Sequence, residues 1–153
     1  MKRIKLSSGK YTLVDNDDFD WLSKWKWSFD GNCASRNEYS TGKAKKIYMH
    51  RLIMDFPENM EIDHKNRNRL DNRRSNLRIC NRSQNCTNRL ATTKGISGYR
   101  GVTKRPNGKW QARIEINNRK ISLGCFVDVK EAALAYNKLV RKYHGEFALL
   151  NNI

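Results

Sequence analysis

The stretch EIDHKNRNRLDNRRSNLRICNRSQNCTNR, residues 61–89, decides how the middle of this 153-residue chain can fold. It is rich in asparagine, and its apolar positions are few, chiefly Ile62, Leu70, Leu77 and Ile79. A tract so poor in core-forming residues is expected to be a loop or disordered unless something else organises it. A bound metal ion could supply that organisation.

The polar residues of this tract are of the types that a metal-assisted phosphodiesterase needs. Asp63 and His64 begin it, Asn76 follows His64 by 12 residues, and Asn85 follows Asn76 by 9. Mg²⁺ prefers oxygen ligands and keeps several waters, so the Asp63 carboxylate and the Asn85 amide oxygen would suffice beside a DNA phosphate. A neutral His64 beside that ion could take a proton from the attacking water. An ordinary surface or packing histidine is the alternative.

Basic residues surround the candidate centre. We expect Arg67, Arg69, Arg73 and Arg74 to clamp the DNA backbone, although a solvated loop would have the same composition. His50 precedes an apolar Leu-Ile-Met run, which predicts a packing or phosphate-touching role on a strand.

Composition restricts the class of partner. Lysine and arginine number 31 against 15 acidic residues, giving a formal net charge of +16. A compact protein with this imbalance repels itself unless a polyanion is its normal partner, so nucleic acid is the leading candidate. The sequence shows neither an apolar run of about 18 residues nor a signal-peptide start. We therefore expect a cytoplasmic protein with no membrane partner.

The first sixty residues predict a β-rich segment. The stretches KYTLVD (10–15), WSF (27–29) and KKIYMHRLIM (45–54) are typical of strands and lie beside glycine-containing turns. Apolar residues recur every three positions from Phe19 to Trp25 behind several aspartates, which predicts one short helix. The tryptophans of this segment are expected in the core, although they could also stack on bases.

The last third of the chain predicts a small sheet. YRGVTK (99–104), KWQARIEI (109–116) and RKISLG (119–124) are separated by turn residues at 106–108 and 117–118. The middle stretch alternates apolar and polar residues, which is typical of a half-buried strand. The sequence therefore predicts a three-stranded antiparallel meander.

A helix is predicted to cover one face of this sheet. In DVKEAALAYNKLVRKYHG (128–145), Asp128 and Glu131 form a variant capping box and Gly145 is placed to end the helix. The residues expected to pack on the sheet are Ala132, Tyr136, Leu139 and Tyr143. The opposite face of the sheet would expose Gln111, Arg113 and Lys120.

The segment 48–89, which joins YMHRLIM to the polar tract, resembles the HNH endonucleases, in the subgroup that includes phage and intron-borne homing enzymes. The resemblance implies a ββα-metal fold in which Asp63 ends the first strand as a metal ligand and His64 is the general base. It implies that Asn76 braces the loop and orients the histidine, and that Asn85 is the second ligand, on the following helix. The last position of the motif is asparagine rather than histidine, which favours Mg²⁺ or Mn²⁺ over zinc.

The segment from Tyr99 to Asn151 resembles the plant AP2/ethylene-response-factor domain, through YRGV, RPNGKWQARI, LGCF and EAALAYN. In that family the three-stranded sheet lies in the major groove, whose base edges distinguish all four base pairs. The resemblance implies DNA contacts by Arg100, Arg105 and Lys120.

Several positions depart from the plant pattern. Thr103 replaces an arginine, Asn107 and Ser122 replace tryptophans, and Arg113 and Glu115 reverse the usual Glu-x-Arg order. The plant target sequence is therefore not transferred. Arg113 could read guanine or form a salt bridge with Glu115.

These observations predict an α+β fold: a β-rich N-terminal part leading into a ββα-metal core, then a three-stranded antiparallel sheet packed on one α-helix. We expect an HNH endonuclease domain at 1–90, a linker at 91–98 and a DNA-binding domain at 99–153. The predicted function is a metal-dependent endonuclease, of homing type, which acts on double-stranded DNA as a monomer with one Mg²⁺ or Mn²⁺ ion. A non-catalytic DNA-binding regulator and a restriction or defence nuclease remain open. The predicted DNA-binding residues are Arg67, Arg69, Arg73, Arg74, Arg100, Arg105, Gln111, Arg113 and Lys120.

Overall fold

A computed structural model of the chain describes residues 1–40, 42–87, 95–116 and 119–153. These residues form two compact units, Met1–Asn85 and Cys86–Ile153. Both units combine short strands with few helices, in keeping with an α+β fold. Of the helices described, none has the length and apolar character needed to cross a membrane. The predicted linker lies partly outside the described residues.

The first unit contains three antiparallel sheets: a β1–β2 hairpin, the order β3–β4–β5, and a β6–β7 hairpin. Its last helix, α3, crosses the boundary to the second unit. The elements are β1 (Lys2–Lys5), β2 (Tyr11–Val14), α1 (Asn16–Leu22), β3 (Ser28–Phe29), β4 (Ala34–Ser40), β5 (Lys43–Tyr48), α2 (Met49–Ile53), β6 (Glu61–His64), β7 (Leu77–Cys80) and α3 (Arg82–Thr87).

One hydrophobic core joins the N-terminal segment to the polar tract. Val14 of β2, Leu22 of α1 and Met49 of α2 are fully buried in the same cluster as Ile62 of β6 and Leu77 of β7. Burial of apolar surface is the main favourable contribution to folding. The few apolar residues of the tract are therefore enough to fix its two strands on a core that the preceding sixty residues supply.

The structure corrects two predictions for the N-terminal segment. The stretch 45–54 is not one strand: β5 ends at Tyr48 and α2 begins at Met49, so His50 lies on a helix. Met49 and Ile53 are both buried, and a spacing of four residues places them on one helical face. The helix α1 also ends three residues before Trp25. The Trp25 side chain is 38% exposed, lies beneath the Arg36 guanidinium and does not belong to the core.

The other tryptophans of the segment differ in their surroundings. Trp27 is buried, as predicted, and its indole N–H donates to the Leu22 carbonyl at 2.8 Å. Trp21 is partly buried and packs against the core.

The second unit confirms the predicted meander. Its sheet has the order β10–β9–β8, all antiparallel, with Ala112 opposite both Val102 and Gly124. The turn at 106–108 closes with a Gly108 N–H to Arg105 carbonyl bond of 3.0 Å, and the turn at 117–118 lies outside the described residues. The elements are β8 (Val102–Lys104), β9 (Trp110–Ile116), β10 (Arg119–Phe126), α4 (Val129–His144) and a 3-10 turn (Gly145–Phe147).

The helix α4 covers one face of this sheet, as predicted. Its cap is Asp128, whose carboxylate accepts from the Lys130 amide at 3.0 Å, and Gly145 ends it at a φ of 52°. Ala132 and Tyr136 are buried, but Tyr143 is 51% exposed, contrary to the prediction. The last buried residue of the helix is Val140, because the apolar cluster beneath α4 ends there.

Candidate active site

The β6–β7 hairpin places the candidate residues. In its antiparallel register Asp63 pairs with Arg78 and His64 with Leu77, and β6 ends at His64. Asp63, His64 and Arg78 are all buried. The hairpin thus carries two charged groups and an imidazole into the interior, where each needs a polar partner.

His64 is held by a chain of hydrogen bonds that reaches back to β2. Its Nε2 lies 3.0 Å from Asn72 Oδ1, the Asn72 amide nitrogen donates to Thr12 Oγ1 at 2.8 Å, and the Thr12 hydroxyl donates to the Leu70 carbonyl at 2.8 Å. The Thr12 hydroxyl donates its proton to the Leu70 carbonyl, so its oxygen can only accept from Asn72. The Asn72 amide nitrogen therefore points at Thr12, and the Asn72 oxygen faces the His64 ring. Nε2 carries the proton, and Nδ1 is the nitrogen that keeps its lone pair when the ring is neutral.

Burial keeps this ring neutral. It lowers the pKa of His64 below its ordinary value, against the opposing effects of the Asn72 hydrogen bond and the Asp63 charge. The His50 ring meets the His64 ring edge to face, with 5.2 Å between centroids. Burial and the His64 neighbour lower the pKa of His50 to about 3. Both imidazoles are therefore uncharged at neutral pH.

Asn76 ties together the loop between β6 and β7. Its Oδ1 accepts from the Asn66 backbone N–H at 3.0 Å, and its amide nitrogen donates to the Asp71 carbonyl at 2.8 Å. The Asp71 carboxylate accepts from the Asn66 side chain at 2.8 Å and from two nitrogens of Arg73 at 2.7 and 2.6 Å. The Arg73 guanidinium holds the pKa of Asp71 below its usual value. Side-chain hydrogen bonds thus order the tract that the sequence predicted to be a loop or disordered.

The arginines of the loop also have partners within the protein. Arg74 donates to both oxygens of the buried Asp18 carboxylate, at 2.9 and 2.8 Å, and Arg69 donates to Asn32 Oδ1. The Arg74 side chain stays 56% exposed, and Arg67 lies at the surface. Arg69, Arg73 and Arg74 thus brace the loop, a role that the sequence did not indicate. Their contact with DNA stays a prediction.

The two predicted metal ligands are oxygen donors on neighbouring elements. Asp63 Oδ2 accepts from Arg78 Nε at 2.8 Å and from Arg78 Nη2 at 2.6 Å. Asn85 of α3 donates its amide nitrogen to Glu61 Oε2 at 2.5 Å, which leaves the amide oxygen as the Lewis-basic end of that group. Within the described ranges, no three His, Cys, Asp or Glu side chains gather as a metal-binding group. A charged carboxylate and a carboxamide oxygen nevertheless match the oxygen ligands that Mg²⁺ and Mn²⁺ take.

The predicted DNA-binding residues of the second unit differ in exposure. Arg113 is exposed between the buried Ala112 and Ile114, so it lies on the face opposite α4. Gln111 shares that face and donates to Ser122 Oγ at 3.0 Å. No ion pair joins Arg113 to Glu115 within the described part of the chain.

The remaining members of that set lie on the sheet and its loops. Lys120 is exposed opposite Glu115 in the β9–β10 register, and Arg105 is exposed at the turn. The Arg100 backbone N–H donates to Asn151 Oδ1 at 2.7 Å, and the Asn151 amide returns a bond to the Arg100 carbonyl at 3.1 Å.

Comparison with known proteins finds relatives for the segment that carries the first of these sites. Residues 48–86 match the family model of the HNH endonucleases. This segment is similar to the HNH endonuclease domain. The chain is also 28% identical to an uncharacterized HNH endonuclease of Acanthamoeba polyphaga mimivirus, across 95% of this chain and 76% of that protein. These matches confirm the prediction that the chain is an enzyme, an HNH-type DNA endonuclease.

A second group of relatives covers about a third of the chain. A transcription repressor of Arabidopsis thaliana with AP2/ERF and B3 domains is 40% identical over 36% of this chain. Dehydration-responsive element-binding protein 2D of the same plant is 47% identical over 35% of the chain. The chain spans only 15% and 27% of these two proteins, so the likeness concerns one part of each.

The sequence did not reveal Asn72 or Arg78. Both sit in the polar tract, but their importance comes from the partners His64 and Asp63, which only the hairpin register and the loop geometry bring to them.

We expect Asn72→Ala to lower the cleavage rate by about 100-fold, because a misplacement of about 1 Å at a catalytic group can have an effect of that size. Affinity for DNA should stay within a few-fold of wild type. Plasmid cleavage under single-turnover conditions measures the rate. Thr12→Ser is the matched control and should cleave like wild type, because it changes the same buried position but keeps the hydroxyl that orients the Asn72 carboxamide. Equal rate losses in the two variants would contradict a specific role for the Asn72–His64 bond.

Proposed function

We propose that this protein hydrolyses phosphodiester bonds of double-stranded DNA with His64 as general base. The observation that carries the proposal is the Thr12–Asn72–His64 chain of hydrogen bonds. It selects the tautomer with the proton on Nε2, in which Nδ1 is the basic nitrogen. A histidine with a lowered pKa is neutral at working pH, and a neutral imidazole is the form that can act as a base.

In the proposed reaction His64 Nδ1 removes a proton from a water molecule as its oxygen attacks the phosphorus. The bond from phosphorus to the 3′-oxygen breaks, so the products carry a 5′-phosphate and a 3′-hydroxyl. Asn76 keeps the loop around the histidine closed through its two backbone hydrogen bonds. Asn72 keeps the resulting imidazolium in place, because its oxygen still accepts a hydrogen bond from Nε2.

Asp63 and Asn85 are the residues that would hold a divalent ion in this proposal. Their donor atoms are oxygens, which suit Mg²⁺ or Mn²⁺. Arg78 binds one oxygen of Asp63 and so fixes the orientation of the carboxylate, and Glu61 orients the Asn85 carboxamide through its nitrogen. Such an ion, when bound, stabilises the negative charge that grows on the phosphate and on the leaving oxygen.

We expect His64→Ala to reduce cleavage by on the order of 10² to 10⁴, the usual contribution of general-base catalysis, and to leave DNA affinity within a few-fold. Supercoiled plasmid incubated with Mg²⁺, Mn²⁺ or a chelator reports cleavage, and binding is measured in the chelator. His144→Ala, on α4, is the control and should cleave like wild type. A fully active His64→Ala enzyme would remove His64 from the mechanism, and a wild-type protein that cuts no DNA would favour the regulator.

We further propose that the exposed face of the second unit binds DNA. The likeness to plant AP2/ERF proteins supports this, together with the outward direction of Arg113 and Lys120. Gln111, Arg100 and Arg105 complete the proposed surface. A sheet face of alternating basic and amide side chains can contact both phosphates and base edges.

Replacing Arg113 and Lys120 by glutamine should weaken DNA binding and reduce its dependence on salt. Each lost phosphate contact removes about 0.9 from the slope of log affinity against log salt concentration, so the slope should fall by up to about 1.8. The control replaces Lys130 and Lys138, two exposed lysines of α4, which covers the other face of the sheet. If both double variants show the wild-type slope, this face does not bind DNA.

We propose a homing role, exercised by a monomer in the cytoplasm of a bacterial host or a phage-infected cell. The support is the resemblance of residues 48–89 to the homing subgroup and the single HNH domain of the chain. A sequenced map of cut positions on the DNA flanking the gene tests the role. One long, sparse site beside the gene is expected, whereas many short sites would indicate a restriction or defence nuclease.

A further inference from the structure

The hairpin of β4 and β5 projects beyond the sheet to which it belongs. The strand β3 pairs only with Ala34 and Ser35, whereas β4 and β5 stay paired from Ser35–Tyr48 to Ser40–Lys43. Residues 37–40 and 42–46, which we call the ribbon, are all exposed. A two-stranded hairpin with no covering layer is at best marginally stable in water, so this extension adds little to the fold.

The ribbon is basic along one strand. Lys43, Lys45 and Lys46 lie on β5, and the only acidic residue in the described part of the ribbon is Glu38 on β4, opposite Lys45. Lys46 forms an ion pair with Asp30 at 2.7 Å, so Lys43 and Lys45 are the lysines considered for DNA. Tyr39 is 76% exposed, a large aromatic ring facing solvent near the end of the ribbon. A hairpin that exposes both lysines and an aromatic ring has the composition of a surface that binds nucleic acid.

One face of the ribbon leads directly to the candidate catalytic residue. Alternation places Asn37 and Lys46 on the same face as Tyr48, the last residue of β5. The Lys46 ammonium lies 5.5 Å from the Tyr48 ring centroid, the Tyr48 ring is 5.6 Å from that of His50, and His50 is 5.2 Å from His64. A substrate phosphate beside His64 therefore lies at the base of the ribbon.

We propose that the ribbon lies in the major groove of the DNA substrate, next to the phosphate that is cut. This inference rests on the proposed function, because it takes His64 as the point of cleavage. The major groove is wide enough to admit a two-stranded β-ribbon. From Tyr48 to Lys43 the strand extends about 17 Å at about 3.3 Å per residue, which corresponds to about five base pairs. Asn37 and Tyr39 share one face and point at the base edges, while Lys43 and Lys45, on the other face, reach the backbone phosphates at the sides of the groove.

A different role for these lysines gives a different result. Lysines on an exposed edge strand also prevent it from pairing with another chain. If that were their whole contribution, their removal would cause self-association and would leave DNA binding unchanged.

The test compares full-length wild type with the double variant Lys43→Gln and Lys45→Gln. A labelled random-sequence duplex is titrated in chelator over a salt series. The slope of log affinity against log salt should fall by about 1.8 in the ribbon variant, since two phosphate contacts are lost. The control variant, Lys5→Gln with Lys24→Gln, removes two exposed lysines outside the ribbon and should keep the wild-type slope. Equal slopes in all three proteins would overturn the proposal, whether or not the ribbon variant self-associates.

Two further results distinguish a failure of the ribbon proposal from a failure of the proposed nuclease function. A hydroxyl-radical footprint should lose protection over about five base pairs on one side of the cut. Retained protection there would overturn the groove placement. A wild-type protein that cuts nothing, with a reduced slope in the ribbon variant, would overturn the nuclease mechanism and keep the ribbon as a DNA-binding element.

Discussion

The hydrogen bond between His64 Nε2 and Asn72 Oδ1 is the interaction on which the active site depends. It decides which imidazole nitrogen carries the proton, and it is itself decided by Thr12, which lies on β2 in a different sheet. Two backbone hydrogen bonds also join β2 to the loop. The Leu13 N–H donates to the Leu70 carbonyl, and the Asn72 N–H donates to the Leu13 carbonyl. The N-terminal hairpin is therefore part of the framework that holds His64 in the candidate site.

Buried carboxylates give the polar tract the order that its few apolar residues cannot. Asp63, Asp71 and Asp18 are almost inaccessible to water, and each meets an arginine: Arg78, Arg73 and Arg74. Removing one partner of such a pair leaves an uncompensated buried charge, which destabilises a protein far more than the intact pair stabilises it. These pairs therefore act as constraints on register: a hairpin shifted by one residue would leave Asp63 without Arg78.

The division of charge explains how a chain with a net charge of +16 holds a precise site and still binds a polyanion. Several acidic residues of the first unit form ion pairs with cations of the same unit. The cations are loop arginines and Lys46, which pairs with Asp30. Lys43 and Lys45 of the ribbon and the basic residues of the second sheet stay exposed. Structural arginines thus set the geometry, and exposed cations supply the long-range attraction to DNA.

Local patterns in the sequence determined much of this protein. The spacing of Asp63, His64, Asn76 and Asn85 predicted the HNH domain, and alternation predicted the meander and its helix, because these signals depend on residues near one another in the chain. The tertiary structure alone decided that His50 lies on a helix, that Arg78 faces Asp63 and that Asn72 orients His64. Those facts depend on strand register and on Thr12, 60 residues from Asn72, and a short-range pattern carries no record of which distant groups will meet.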